Sequence, residues 1–477
     1  MYDVIVVGGG SAGAAVAARL SEDPARRVLL LEAGLDWRAI DAPWEVMTPN
    51  PIPIIHKREY QEKWQWPDLL TRRVAGQEPR FYWRGKGLGG SSMMNGQIAI
   101  RGVADAFDEW AANGCTGWSA KEVMPLFSVI EDDMEFGDAG GHGRGGPLPV
   151  YRAPPETWGP IDRGLRDAAL ASGYPWCADV NGPDGEGVAC YPINSRDSRR
   201  ITTNEGYLEP ARGRANLEIR GHALVDRVLI SDGRATGVRV HIEGQGTSDI
   251  GARQIVLCAG AIHSPAILLR SGLDHPTTGR GIHEQIGYYA EAELDGLDHF
   301  DGGTLTTGLN YSLYDGDFRR TDASALLYFE NRWVHGLRKT YGRWRQVLPL
   351  TIAVEDLPQD DNRVLLDADG MPVVHHARNS EYGERGVQRS FDQLARVLAP
   401  LPVERIVFRG LRPTESHVQG SLRMGRDPAN SVVDADQVHH AVRNLVVVGS
   451  SVFPTGPCAN PSLTVAAMSL RSAERVV

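Results

Sequence analysis

The segment Gly8-Gly9-Gly10-Ser11-Ala12-Gly13 stands between the apolar run Val4-Ile5-Val6-Val7 and the alanine-rich stretch 14–20. A continuous apolar run suits a parallel strand covered on both faces, and alanine favours helix. Residues 28–31 read as a second strand, with Glu32 at its end. Strand, glycine turn, helix and acid at this spacing form a dinucleotide-binding fingerprint. Gly8 allows the tight turn, Gly10 lets the backbone approach a pyrophosphate, and Gly13 lets helix and strand pack closely. The helix N-terminus offers free N–H groups and partial positive charge to phosphate oxygens. Glu32, 19 residues past Gly13, is placed to accept hydrogen bonds from ribose hydroxyls. A carboxylate there disfavours a 2′-phosphate, so FAD or NAD is expected rather than NADP. The fingerprint by itself does not separate those two.

Working outward, the chain has 477 residues, 42% hydrophobic and 23% charged, enough for a substantial core in one large domain or two moderate ones. Its 54 glycines keep no fixed period, which excludes collagen-like and low-complexity readings. A net charge of -10 argues against a nucleic-acid footprint. The scattered Cys115, Cys177, Cys190, Cys258 and Cys458 form no CxxC pair. Neither a disulfide framework nor a zinc site is expected from them, and a reducing compartment suits them. No His/Asp/Glu set shows metal-ligand spacing, so no metal is expected. A buried strand already at residues 2–7 leaves no room for a leader, and no run reaches the ~18 apolar residues of a spanning helix. The expectation is a cytoplasmic protein with no membrane span.

Residues 35–84 hold five tryptophans and six prolines, which predicts an ordered, lid-like loop packed on something. The glycine-rich stretch 137–147 reads as a connection or domain boundary. Alternation over 216–243 predicts an antiparallel hairpin turning at Asp232-Gly233. Short strands are expected at 254–260, 346–354 and 444–449, with helices at 384–398 and from Asn460 onward.

Further motifs lie along the chain. Gly85-Lys86-Gly87-Leu88-Gly89-Gly90-Ser91-Ser92-Met93-Met94-Asn95 continues through Arg101-Gly102 to Asp108, and a second cluster runs from Gly260 through His263-Ser264-Pro265 to Gly272. Small residues at Gly89-Gly90-Ser91-Ser92 let backbone come close to a flat ring system, and Asn95 brings a donor and an acceptor to its polar edge. The C-terminal part adds His417-Val418-Gln419-Gly420-Ser421-Leu422-Arg423-Met424-Gly425, Gly449-Ser450-Ser451-Val452-Phe453-Pro454 and Asn460-Pro461-Ser462-Leu463-Thr464. These five ordered motifs resemble the glucose–methanol–choline (GMC) family of FAD-dependent oxidoreductases. The resemblance runs from Tyr2 to Val476 and is weakest between about 275 and 410.

The resemblance implies an α/β fold with two parts. A Rossmann-like FAD-binding domain would comprise residues 1–152, 195–282 and 411–477. A second, α+β substrate-binding domain built on an antiparallel sheet would comprise 153–194 and 283–410. Cofactor contacts are implied at Gly8, Gly10, Ser11, Ala12, Gly13, Glu32 and Ala33 for the dinucleotide end, with the Val225 backbone near the adenine. Gly89, Gly90, Ser91, Asn95, Gly96, Ala259, Gly449, Ser450, Pro461 and Thr464 complete the implied set. Some relatives attach FAD through a histidine near Met94; Met93 and Met94 cannot do this, so a non-covalent FAD is expected.

By the same resemblance, His417 and Asn460 form the family's His–Asn pair. Alcohol oxidation needs a proton taken from the hydroxyl while hydride leaves the carbon, and imidazole titrates near neutral pH. The implied reaction is FAD-dependent oxidation of a primary or secondary alcohol to a carbonyl. His417 would take the proton, Asn460 would hold the oxygen, and hydride would pass to flavin N5. Electrons would then go to oxygen or another acceptor. Asn460 is a good N-cap and Pro461 suits the first helical position, so a helix N-terminus would face the flavin. A lyase resembling hydroxynitrile lyases, with FAD but no net redox chemistry, and a flavoprotein without turnover are the alternatives.

His263, His283 and the His439-His440 pair are lesser candidates: His263 reads as structural within the second signature, and His439-His440 sits in a turn before the last strand. Two departures from the family pattern stand out: Asp274 occupies the usual final glycine of the second signature, and Gln285 replaces the histidine that ends Gly-Arg-Asn-Leu-x-Asp-His. The N-terminal half, including Arg80-Phe81-Tyr82-Trp83-Arg84, looks like aryl- or furanyl-alcohol oxidases. The ending around Val448 to Pro461 looks like the sugar and polyol branch, so the alcohol itself stays open.

Overall fold

Tyr2–Val7 is the spine of the larger sheet. It pairs in parallel with Val28–Leu31 on one side and with the second half of Gly246–Leu257 on the other. Leu217–Arg220 and Val442–Val447 extend the parallel array outward. All four residues of Val28–Leu31 are buried, as are the last four of Tyr2–Val7, the burial that such apolar runs require. The helix Ser11–Leu20 packs against the C-terminal helix Pro461–Glu474. Their alanine-rich faces allow that close approach. These coordinates form a computed structural model that describes residues 1–67, 69–72, 80–137, 139–183, 185–296, 307–310, 316–329, 346–411 and 416–476. Parts of the lid-like segment (68, 73–79), of the 137–147 connection (Asp138) and of the 283–410 stretch lie outside the described residues.

The strand Gly246–Leu257 changes partners along its length. Its second half belongs to the parallel array, while its first half runs antiparallel to Arg234–Ile242, which pairs in turn with Ala223–Ser231. This corrects the expected hairpin over 216–243. Leu217–Arg220 is a separate parallel strand, and the chain breaks at Gly221-His222 before the hairpin begins. A Cβ at Gly221 would lie 2.5 Å from the Asp36 backbone nitrogen, so the two loops touch there. The turn itself falls at Asp232-Gly233, both at positive φ, as a tight two-residue hairpin turn demands.

A second sheet has six strands, all antiparallel, in the spatial order Val403–Leu411, Ile286–Leu294, Val347–Val354, Ala325–Phe329, Thr307–Asn310 and Gly187–Cys190. The helices Pro160–Ala171 and Glu381–Leu398 share an apolar cluster with it, through Leu165, Val387, Leu394 and Val397. The fold is therefore α/β, with one mixed, largely parallel sheet and one antiparallel sheet. Among the described residues of 35–84 are the short α-helices Trp44–Met47, Ile52–His56 and Arg58–Trp64. The segment ends in two short strands, Leu70–Arg72 and Arg80–Phe81, which join Arg363–Leu366 and Pro372–His375 in a small sheet.

Candidate active site

One cavity runs along the carboxyl ends of the parallel strands, the usual place for a ligand in an open α/β sheet. All of the expected site residues line it except Gly13, Gly89 and Thr464. Gly13 has the packing role its position predicts, because a Cβ there would sit 1.8 Å from the Gly8 carbonyl oxygen. Gly89 donates its N–H to the Gly9 carbonyl at 2.8 Å and so joins the two glycine motifs from behind. Thr464 is fully buried, while Pro461, Ser462 and Val465 face the cavity.

At the dinucleotide end, a Cβ added to Gly10 would meet only the Gly90 Cα, at 3.7 Å, and would otherwise fill cavity space. The helix Ser11–Leu20 begins without a side-chain cap and without an acid in its first turn. The C-terminal helix begins the same way. Two helix N-termini thus open on the cavity with their positive ends uncompensated by the chain itself, which fits a pyrophosphate and an electron-rich ring. Glu32 is buried, and its carboxylate accepts the N–H groups of Gly9 at 2.7 Å, Gly34 at 2.9 Å and Gly87 at 3.0 Å. Beyond facing a ribose, it stitches the first fingerprint to the Gly85–Asn95 motif, a role that spacing did not reveal. These features fit FAD.

Asn95 is held rather than free. Its Oδ1 accepts from the Gln97 backbone N–H at 3.0 Å and from Arg200 Nη1 at 2.8 Å. Arg200 also donates to the carbonyl oxygens of Ser92 at 3.2 Å and Asn95 at 2.7 Å. Burial pushes the Arg200 guanidinium down to about 9. Sequence reasoning missed this residue, since nothing near residue 200 announces a partner more than a hundred positions away.

His417 sits on a loop pinned at several points. Arg84 Nη2 donates to the Ser416 carbonyl, Ser450 Oγ donates to the Val418 carbonyl at 2.8 Å, and Gln419 exchanges two backbone hydrogen bonds with His283 at 2.9 and 3.0 Å. His417 Nε2 lies 3.2 Å from Asn460 Nδ2, and its Nδ1 lies 2.6 Å from Gln285 Oε1. Asn460 occupies the N-cap position, but its side chain does not cap the helix. The amide is turned toward His417 instead.

The tryptophan-rich segment divides three ways. Trp66 and Trp83 line the cavity with Pro51, Ile55 and His56. Trp37 and Trp64 are core residues, and Trp44 is exposed. Trp66 stacks on His263 with ring centroids 3.9 Å apart. Burial, with Arg270, Lys86 and Arg84 nearby, pushes His263 down to about 3 and keeps it neutral.

A polar cluster lies apart from the cavity. His142 is buried with Nδ1 3.0 Å from Asp133 and 3.2 Å from Glu131, and with Nε2 2.7 Å from Asp179. Arg101 pairs with Glu131 at 2.5 Å, and Arg152 pairs with Asp133 at 3.0 Å and Asp179 at 2.8 Å. Burial opposes a charge on His142, yet its hydrogen bonds to Asp133, Asp179 and Glu131 outweigh that and push it up to about 10. Glu131, Asp133 and His142 present ligand-type atoms within 4.8 Å of one another, a grouping that linear spacing hid. The two arginines and the imidazolium already balance the three carboxylates.

Comparison with known proteins agrees with this geometry. Family models of GMC oxidoreductases match residues 2–287 and 358–469. The chain is 29% identical to 5-(hydroxymethyl)furfural oxidase of Methylovorus sp. (strain MP688), over 100% of this chain and 99% of that one. It is 30% identical to pyridoxine 4-oxidase of Microbacterium luteolum, over 95% of each chain. The crystal structure of pyridoxine 4-oxidase from Mesorbium loti superposes with a TM-score of 0.83 at 27% identity, over 99% of each chain. The chain therefore belongs to the GMC oxidoreductase family, and FAD is its cofactor.

Proposed function

We propose that this protein oxidises an alcohol to a carbonyl, with His417 as the base. The observation that carries the reading is the placement of His417 Nε2 on the cavity wall, 3.2 Å from Asn460 Nδ2 and beside the N-terminus of the C-terminal helix. A substrate hydroxyl between these two groups would give its proton to Nε2 while its oxygen accepts from the Asn460 amide. When bound, FAD supplies the hydride acceptor. The helix N-terminus adds positive potential at that end of the cavity, where negative charge develops. FAD would be held non-covalently by Gly8, Gly10, Ser11, Glu32 and Ala33 at one end and by Gly90, Ser91, Asn95 and Pro461 at the other.

The cavity's aromatic wall narrows the substrate class. Trp66, Trp83 and His56 line the same cavity as His417, and an aromatic wall favours a planar ring. One oxidase relative is named for a hydroxymethyl group on furfural and the other for pyridoxine. We infer a primary alcohol carried on a planar ring, with electrons passed on to oxygen or another small acceptor. The relatives' oxidase names favour oxidation over the lyase alternative. The test is an anaerobic screen of hydroxymethyl-furans, hydroxymethyl-pyridines, benzyl alcohols, polyols and choline. Ring-borne primary alcohols are expected to bleach the flavin and yield aldehyde. Bleaching by polyols or choline alone would refute the substrate class, and cleavage of a cyanohydrin added to the screen into aldehyde and cyanide, with no alcohol bleaching the flavin, would refute oxidation.

A further inference from the structure

We infer that Gln285 is a positioning residue for this reaction, fixing His417 as the Nδ1–H tautomer so that the Nε2 lone pair faces Asn460. The inference deepens the proposed function, because it takes His417 as the base. Its geometry follows from the backbone. His283 and Gln419 form an antiparallel bridge with both N–H···O bonds made. Two residues further along each strand, Gln285 and His417 fall opposite one another on the same face.

The orientation of the Gln285 amide follows from its surroundings. Its nitrogen donates among the carbonyl oxygens of Pro457 at 3.3 Å, Cys458, and Ala459 at 3.2 Å. Turned the other way, the amide oxygen would face three carbonyl oxygens inside a fully buried site, a repulsive arrangement of acceptors. The oxygen therefore points at His417, 2.6 Å from Nδ1. An amide oxygen only accepts, so Nδ1 carries the hydrogen. Nε2 is then the acceptor, in agreement with the Asn460 N–H group 3.2 Å away. The three carbonyls lead directly into Asn460, so one carboxamide fixes the ring of the base and the backbone of its partner together. The family's usual histidine at this position makes the glutamine a feature of this chain's own site.

The test combines spectroscopy with kinetics. Holoenzyme labelled with 15N-histidine, with the His417 signals identified by their loss in His417→Gln, is expected to show a protonated, pyrrole-type Nδ1 and an unprotonated, pyridine-type Nε2. In Gln285→Met, which keeps side-chain length without hydrogen bonding, the two tautomers should mix and kcat should fall about 10²-fold or more while KM stays within about threefold. Gln285→His, which again offers one acceptor and one donor, should recover part of that loss. A pyridine-type Nδ1 in the wild type overturns the inference, as does a Gln285→Met enzyme with wild-type kcat. Should Gln285→Met fail to fold, the wild-type spectrum decides alone. A spectrum as expected in a protein whose flavin no alcohol bleaches would leave the tautomer standing and remove the proposed function.

Discussion

His417 lies between two carboxamides, Gln285 at 2.6 Å and Asn460 at 3.2 Å, whereas His142 lies among three carboxylates, Asp179 at 2.7 Å, Asp133 at 3.0 Å and Glu131 at 3.2 Å. The imidazoles are chemically identical, and their neighbours assign them different work. Carboxylates stabilise a protonated ring, so His142 becomes a fixed cation that ties the 131–133 strand to the loops carrying residues 142 and 179. Neutral amides orient a ring without holding a charge on it. A base needs that arrangement, because it must start neutral and gain its proton during the reaction.

The first way to break this comparison is to remove the structural cation. His142→Leu leaves three carboxylates facing two arginines in a buried site and should destabilise the fold by about 3–5 kcal/mol, read by urea unfolding. Turnover per FAD-loaded molecule should be unchanged, because His142 does not line the cavity. A variant as stable as wild type would refute the charge assignment.

The same contrast predicts a pH dependence. His142 is raised from an ordinary value near 6.5 to about 10 in the fold. A raised value gives stability that is fully present below about pH 6.5 and is lost as pH climbs toward about 10. Asp133 and Asp179 are held below the usual carboxylate range: burial opposes this, but the hydrogen bonds from His142 and from backbone N–H groups, together with the Arg152 charge, outweigh it. Their contribution is present above about pH 4 and is lost on acidification. Unfolding free energy should therefore fall on both sides of roughly pH 4–6.5, and His142→Leu should flatten the alkaline side.

Asn460→Ala sharpens the comparison from the other histidine. Loss of one hydrogen bond to the reacting oxygen should lower kcat about 10–100-fold with FAD retained, in stopped-flow reduction. The smallest effect is expected from Trp66→Leu, which removes a flat wall without touching His417. KM for ring alcohols should rise about 2–10-fold with kcat nearly constant. A change confined to kcat would show that Trp66 acts on the chemistry rather than on binding.

How much of this was legible beforehand depended on whether the constraint showed in local residue type. Gly8, Gly10 and Gly13 were readable because a backbone that must turn or approach closely admits little else. His417 and Asn460 were readable from their motifs. The Gln285–His417 contact spans 132 positions and arises from strand register, so it appeared in the sequence only as a departure from the family pattern. The partners of His142 and Arg200 left no local mark, since charge pairs formed by tertiary packing have no spacing rule. Residues 35–84 were seen as one object but divide into core, wall and surface, because tryptophan serves each setting equally well. Alternation over 216–243 continues through Gly221 even though the strand ends at Arg220, so the pattern overstates the length of the hairpin.

The central claim is that His417 is the base for alcohol oxidation on a bound FAD. Anaerobic mixing of wild type and of FAD-loaded His417→Ala with the same ring-borne primary alcohol tests it most directly. Bleaching should be rapid in the wild type and about 10²–10⁴-fold slower in the variant. Equal rates in the two proteins would contradict it.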